Sequence, residues 1–420
     1  MMTNREITQG DMMYTYGGFG AGIDYTVRLC IRLKDPVDGG ILDEALLDTS
    51  KRYPYLSLRM RKNTNRLFYE ENRERIVLFH TDKKITLNAP ESNYHVWAVC
   101  YSDDMIMLDF YHGIADGTGM YMVLSTLLYC YCSRKYGVSD HTGIRIPGEE
   151  IVPGEIADPL DLMPDIDLSD APEHTIETNA FSTGHGDVSY VTDIELNEDS
   201  FMKFCVAHDA SPGIMISLLF ARGIDALFPK REGDIVGSYI LNARPMLGAK
   251  LTHHNCVHTV VLNYSDKVKV KPLEQQAMLY RGMTFAQTED ERVKQTMLIF
   301  ANRRRMNMKK YAVLPARLAY FGGALKYIRN AFTYLVSYVG KWQYEAVAPY
   351  VTEFWTHIPP AVDIMAEIAA IHGSIFLTFH RTFENDQIIG AILDELKSNG
   401  IDGNVKRTMV NDNAAFSMPE

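Results

Sequence analysis

The sequence contains no apolar run approaching the about 18 uninterrupted residues that a membrane-spanning helix needs, so no membrane span is expected. Its first residues, M-M-T-N-R-E-I-T-Q-G-D, carry no apolar core of a signal peptide, which together points to a cytoplasmic protein. Cysteine is sparse, at 30, 100, 130, 132, 205 and 256, and no pair is spaced C-x-x-C. Each lies in an apolar run, so buried reduced thiols are expected rather than a disulfide framework. Positive charge is in deficit: 42 Lys and Arg against 53 Asp and Glu give a net charge of −11. General nucleic-acid binding needs a basic face and is excluded on this ground. Metal-ligand patterns are also missing. The histidines at 253, 254 and 258 come without a nearby carboxylate, and on a strand 254 and 258 share a face while 253 points away; core or channel-lining roles fit them better than a metal site.

Apolar residues are plentiful, at 46% of 420. A chain of this length is expected to build two lobes. Residues 94–101 (Y-H-V-W-A-V-C-Y) and 105–111 (M-I-M-L-D-F-Y) read as strands, and Met120, Val123, Leu124, Leu127 and Leu128 follow at helical spacing. Between them lies L-D-F-Y-H-G-I-A-D-G-T-G, residues 108–119. His112 thus falls where a strand stops and Asp116 where a helix starts, with Gly117 and Gly119 suited to the tight passage. An imidazole with a pKa near 6.5 can accept a proton at neutral pH. Asp116 has three readings: orienting the imidazole, pairing with a distant cation, or capping the helix. Of 13 histidines, His112 alone has Asp at the fourth following position.

His112-x-x-x-Asp116-Gly117 resembles the HxxxDG motif of the CoA-dependent acyltransferase superfamily, which includes chloramphenicol acetyltransferase, condensation domains, polyketide-associated acyltransferases and alcohol acetyltransferases. Other segments agree in order: the strand Y-T-V-R-L-C-I-R-L and the following helix near the N-terminus, the run G-S-Y-I-L-N-A-R-P-M-L (237–247), and L-V-S-Y-V-G (335–340). Condensation domains carry a second histidine before the catalytic one; here Tyr111 stands there, which moves the resemblance toward alcohol acetyltransferase-like members. Where relatives often show Gly-Asn, this chain has His254-Asn255.

The resemblance implies an α/β fold of two chloramphenicol-acetyltransferase-like lobes, each a mixed sheet with helices, arranged as a V-shaped pseudo-dimer around a central tunnel. The lobes are expected at residues 1–175, carrying the motif, and 176–420. Residues 137–186, rich in Pro, Asp, Glu and Gly, read as the crossover between them. The implied activity is acyl transfer from a thioester, acyl-CoA as co-substrate, to a small alcohol or amine. His112 is the implied general base, Gly117 N–H a candidate oxyanion donor, and Asp116 and Arg244 an implied structural ion pair. Ser337, Asn242 and Asn255 are further candidates for oxyanion or substrate contact. No permanent cofactor, metal or covalent acyl-enzyme is implied. Two alternatives stand beside this: a condensation-type enzyme fed by an acyl carrier protein, and a catalytically silent binding protein of the same fold.

Other stretches carry expectations of their own. The glycine-rich Y-G-G-F-G-A-G (16–22) reads as a turn rather than a phosphate loop, since no strand precedes it. Residues 273–310 read as one long helix, whose basic end N-R-R-R-M-N-M-K-K could meet CoA phosphates or simply face solvent. Strands at 351–357 and 373–383 are expected to pair, and the tail after 401 to be loose.

Overall fold

A computed structural model describes residues 4–169, 180–183, 186, 188–411 and 416–418. The chain opens with β1 (Asn4–Glu6), a π-helical turn (Met13–Gly17) and α1 (Gly18–Ala21). It continues through β2 (Thr26–Leu33), α2 (Gly39–Arg52), β3 (Leu58–Lys62), β4 (Leu67–Glu71), β5 (Leu78–His80), β6 (Trp97–Ser102), β7 (Met105–Tyr111) and α3 (Gly117–Tyr136). After α4 (Pro153–Ile156) come β8 (Tyr190–Asn197), α5 (Glu198–Ala207), α6 (Pro212–Leu227), β9 (Ile235–Asn242), α7 (Arg244–Leu247), β10 (Val257–Tyr264), α8 (Asp266–Lys269), α9 (Leu273–Gln287), α10 (Asp290–Lys310) and α11 (Leu314–Asn330). The last elements are β11 (Tyr334–Lys341), β12 (Val351–His357), β13 (Ile364–Ile371), β14 (Ser374–Arg381), α12 (Gln387–Ser398) and β15 (Gly403–Val410).

The architecture is mixed α/β, as expected. Among the described residues one sheet runs β12-β2-β7-β6-β5 and a second runs β10-β9-β11-β13-β14-β8-β15, with β1-β4-β3 as a small third. Both large sheets are mixed: β5 joins β6 in parallel, and β11 lies parallel to both β9 and β13. Each large sheet has its own apolar core. The first gathers β2, β6, β7 and the buried face of α3; the second gathers α6, α12 and one face each of β8, β9, β13 and β14. In β13 the alternation is plain: Ile364, Ala366, Ile368 and Ala370 enter the second core, while Met365 faces the other way, as strand geometry requires.

Chain order and sheet membership diverge at β12. β11 and β13 belong to the seven-stranded sheet, but β12 between them leaves it and pairs antiparallel with β2. The expected pairing of residues 351–357 with 373–383 is therefore wrong: β14 pairs with β13 and β8. The strand β13 itself, I-M-A-E-I-A-A-I, supplies the partner that the sequence reading missed. The expected lobe boundary near residue 175 lies outside the described residues.

Three more expectations are corrected. The part of the tail at residues 403–410 is not loose, because it forms β15, the edge strand beside β8. The long helix breaks into α9 and α10 around Thr288. The glycine cluster is largely helical and packs on α11, where a Cβ on Gly20 would stand 1.9 Å from the Leu318 carbonyl oxygen; Gly20 is there for close approach, while Gly22, at φ 72°, makes the turn that ends α1. All six cysteines are buried and unpaired. No single described helix is long and apolar enough to cross a membrane; α5 and α6 together are, but they are bent by 84° and α6 is largely buried.

Candidate active site

His112 follows directly on β7, and its N–H extends the ladder by donating to Tyr25 O at 2.8 Å. Its side chain is 9% exposed. The Tyr14 ring stacks on the imidazole, with centroids 3.9 Å apart and planes within 5°, and Tyr25 meets it edge-on. Behind the main chain of His112, Asn255 Nδ2 donates to the His112 carbonyl oxygen at 2.7 Å and to Asp11 Oδ1 at 2.7 Å. Asp11 is in turn bound by His254 Nδ1 at 2.6 Å. Burial pushes the His112 pKa down from its ordinary value, which favours the neutral imidazole, while its own carbonyl and Asp116 pull the other way.

Asp116 fulfils two of its three readings at once. Its Oδ1 accepts the Gly119 N–H at 2.9 Å, capping the twenty-residue helix α3. Its two oxygens also receive Arg244 Nη1 and Nη2 at 2.8 and 2.7 Å, a buried bidentate pair. The remaining Arg244 donors go to Thr252 O, His254 O and Asn242 Oδ1, so all five guanidinium N–H groups are used. Asp116 makes no hydrogen bond to the His112 ring, so it locks the loop rather than the imidazole. Tyr111, in the place of the second histidine of condensation domains, donates through its hydroxyl to Tyr14 O at 3.2 Å. It thereby fixes the segment that lays Tyr14 over His112.

Gly119 has a different reason from the one expected. Neither it nor Gly117 has a positive φ. A Cβ on Gly119 would stand 2.1 Å from His253 O, so the helix start could not approach that loop. Gly117 and Thr118, the first two residues of α3, have N–H groups without an intrahelical acceptor, and both residues line the cavity beside His112.

That cavity, about 130 Å³, lies between the two large sheets. Val27 and Leu29 of β2, Thr356 of β12, Ile240 of β9, and Met365 and Glu367 of β13 form its walls. Ser337 lines it too, and faces Glu367 across the β11–β13 ladder. A second space of about 250 Å³ shares Thr118, Asn242 and Val339 with the first and continues past Tyr121, Lys250, Lys341 and Trp342. The two lie side by side at the start of α3, where Thr118 lines both.

Of the residues expected here, His112, Asp116, Gly117, Asn242 and Ser337 line the cavity, and Arg244 lines its extension. Asn242 is committed, its Oδ1 accepting from Arg244. Asn255 is corrected from a substrate contact to a support behind His112. The histidines at 253 and 254 lie in the loop before β10 rather than on a strand, and all three of the cluster are buried against main-chain carbonyls or Asp11. The basic end of α10 serves the fold: Arg305 gathers the carbonyls of Leu160, Asp161 and Met163, and Arg304 that of Gln9.

Two functional candidates escaped the sequence reading. Tyr14 sits in a segment with no periodic signal. Glu367 did leave one, a single carboxylate within the apolar run of β13.

The fold resembles that of solved structures across nearly the whole chain. Polyketide synthase associated protein 5 from Mycobacterium tuberculosis superposes with a TM-score of 0.64 at 11% identity, covering 93% of this chain and 96% of that one. TRI101 of F. sporotrichioides, solved with coenzyme A and T-2, gives 0.61 at 9% identity, covering 96% and 99%. The epimerization domain from the third module of tyrocidine synthetase B gives 0.57 at 9% identity, covering 95% of each. No protein-family model and no curated protein matches the sequence. The resemblance drawn from the motif therefore holds at the level of the fold.

Proposed function

We propose that this chain, which shares the fold of polyketide-associated, trichothecene acetyltransferase and condensation-type structures, is an acyltransferase. It moves an acyl group from a thioester, acyl-CoA as co-substrate, to a small alcohol or amine. One observation carries this reading: a buried imidazole and the residues whose N–H groups open a helix share one cavity between the sheets.

His112 Nε2 takes the proton of the acceptor as its oxygen or nitrogen attacks the thioester carbonyl carbon. Such general-base help is worth about 10²–10⁴ in rate. The carbonyl oxygen gains the charge, and the Gly117 and Thr118 N–H groups at the positive end of α3 receive it. The C–S bond then breaks, and the proton on His112 passes to the leaving thiolate. Tyr14 stacked on the imidazole and Asn255 bonded to the His112 carbonyl hold the base in place, so no reorganisation is needed at the moment of transfer. The outer space offers Lys250 to a phosphorylated donor arm.

The experiment is thiol release from acetyl- and longer acyl-CoAs in the presence of a panel of alcohols and amines. Acceptor-dependent release with a matching acylated product supports the reading. Hydrolysis without product, or release indifferent to the acceptor, opposes it. Running the same panel with a carrier-protein thioester separates a CoA donor from a carrier-bound one.

A further inference from the structure

Glu367 is a cavity carboxyl that the proposed transfer leaves unused. It sits in β13 with seven apolar neighbours and is 7% exposed. The strand alternation turns it, with Met365, into the cavity that holds His112. The polar and charged groups of the cavity come from several elements, Thr356 of β12 and Asn242 of β9 among them. β11 brings Ser337, whose hydroxyl bonds its carboxyl. The end of β7 and the start of α3 bring His112 and Asp116, and further along α3 stands Tyr121. The N-terminal segment brings Tyr14.

None of these is a free cation. Arg244 is taken by Asp116 and Lys341 pairs with Glu198. Among the described residues no lysine, arginine or histidine forms an ion pair with Glu367. A carboxylate buried without a counter-charge is strongly disfavoured, and burial pushes the Glu367 pKa up to about 8, against a small opposing effect of Ser337. The site is therefore one positive charge short of a stable ion pair. Three tyrosines, Tyr14, Tyr25 and Tyr338, line the same space, and aromatic faces attract a desolvated cation.

We propose that the cavity takes an acceptor bearing a protonated or quaternary amine, with Glu367 as its counter-ion and Tyr14, Tyr25 and Tyr338 beside it. This rests on the acyl-transfer reading and names its substrate class. The reacting hydroxyl or neutral amine is a second group of the same molecule, as in an amino alcohol or a diamine, because a protonated nitrogen has no lone pair with which to attack.

The test is calorimetric titration of the intact protein near pH 6.5 with (3-hydroxypropyl)trimethylammonium and with its neutral carbon isostere, 4,4-dimethylpentan-1-ol. The expected result is a preference of roughly tenfold or more for the cation. Release of close to one proton per cation bound is expected too, read from buffers of different ionisation enthalpy. Glu367→Gln keeps the shape and the neutral state of the native side chain, and is expected to lose both effects; Glu367→Asp keeps an ionisable carboxyl and retains the preference. The proposal is overturned by equal binding of the two probes, by no binding of the cation at millimolar concentration, or by a Glu367→Gln protein that binds as wild type does. The last result would assign Glu367 the role of a neutral hydrogen-bond donor. Cation preference that survives in a protein showing no acyl transfer would overturn only the acyl-transfer reading. Transfer to neutral alcohols without cation preference would overturn only this one.

Discussion

The Asp116 carboxylate and the Arg244 guanidinium, 128 positions apart, meet through two hydrogen bonds of 2.8 and 2.7 Å. The pair ties the start of α3, in contact with the first core, to the start of α7, just past the end of β9 in the seven-stranded sheet. Removing one partner strands the other charge in the interior, at a cost of about 3–5 kcal/mol. Asp116→Asn and Arg244→Met are each expected to destabilise by that order in urea unfolding, and the double variant by clearly less than their sum. Asp116→Ala should cost about 1 kcal/mol beyond Asp116→Asn, because asparagine can still cap the Gly119 N–H. Additive losses would mean that the pair contributes nothing as a pair.

Burial lowers the His112 pKa, with its own carbonyl and Asp116 acting in the opposite sense. Below that pKa the imidazole is protonated and cannot act as base; above it the base is available. With a neutral alcohol as acceptor, kcat/KM should rise with pH and level off at an apparent pKa below the usual histidine value of about 6.5. A pH–rate profile checks this. An acid limb centred above that value would contradict a neutral, buried base.

Much of this site is written in the sequence, and the part that is not has physical causes. His112, Asp116 and Gly117 are legible because a strand end, a cap and a helix start follow one another within a few residues. Arg244 came from the resemblance, since nothing local shows which carboxylate an arginine meets across 128 positions. The pairing of β12 with β2 was missed because period-2 patterning marks a strand without naming its neighbour. Tyr14 was missed because its role is a stacking contact made by an irregular segment. Gly119 was found for the wrong reason: its constraint is the His253 carbonyl, which only the tertiary structure brings close.

The two glycines at the helix start should separate stability from activity. Gly119→Ala drives a methyl into the main chain of His253 and should cost about 1–3 kcal/mol or more. At Gly117 the nearest atom to a new Cβ is Val339 Cγ1, at 3.5 Å, an ordinary contact. Gly117→Ala should therefore fold as wild type does while losing transfer rate, because the methyl enters the space beside the N–H groups. Thermal melts and rates measured side by side check both. Equal stability of the two variants would contradict the packing at Gly119.

Glu367 makes stability depend on pH in a defined direction. Its pKa in the folded protein is about 8, against an ordinary 4.5. The folded state favours the protonated form, so this contribution is complete below about pH 4 and is lost as pH rises toward 8. Glu367→Gln removes the dependence. Wild type should lose stability relative to the variant between pH 5 and 8, read as diverging melting temperatures. Parallel curves would show that Glu367 is already charged in the fold.

Thiol release from acyl-CoA, compared between wild type and His112→Ala with one accepted alcohol or amine, tests the proposed mechanism most directly. Acceptor-dependent release that falls by about 10²–10⁴ in the variant, with the fold intact by circular dichroism, is the expected result. Equal release from both proteins would remove His112 from the chemistry and contradict the mechanism proposed for this cavity.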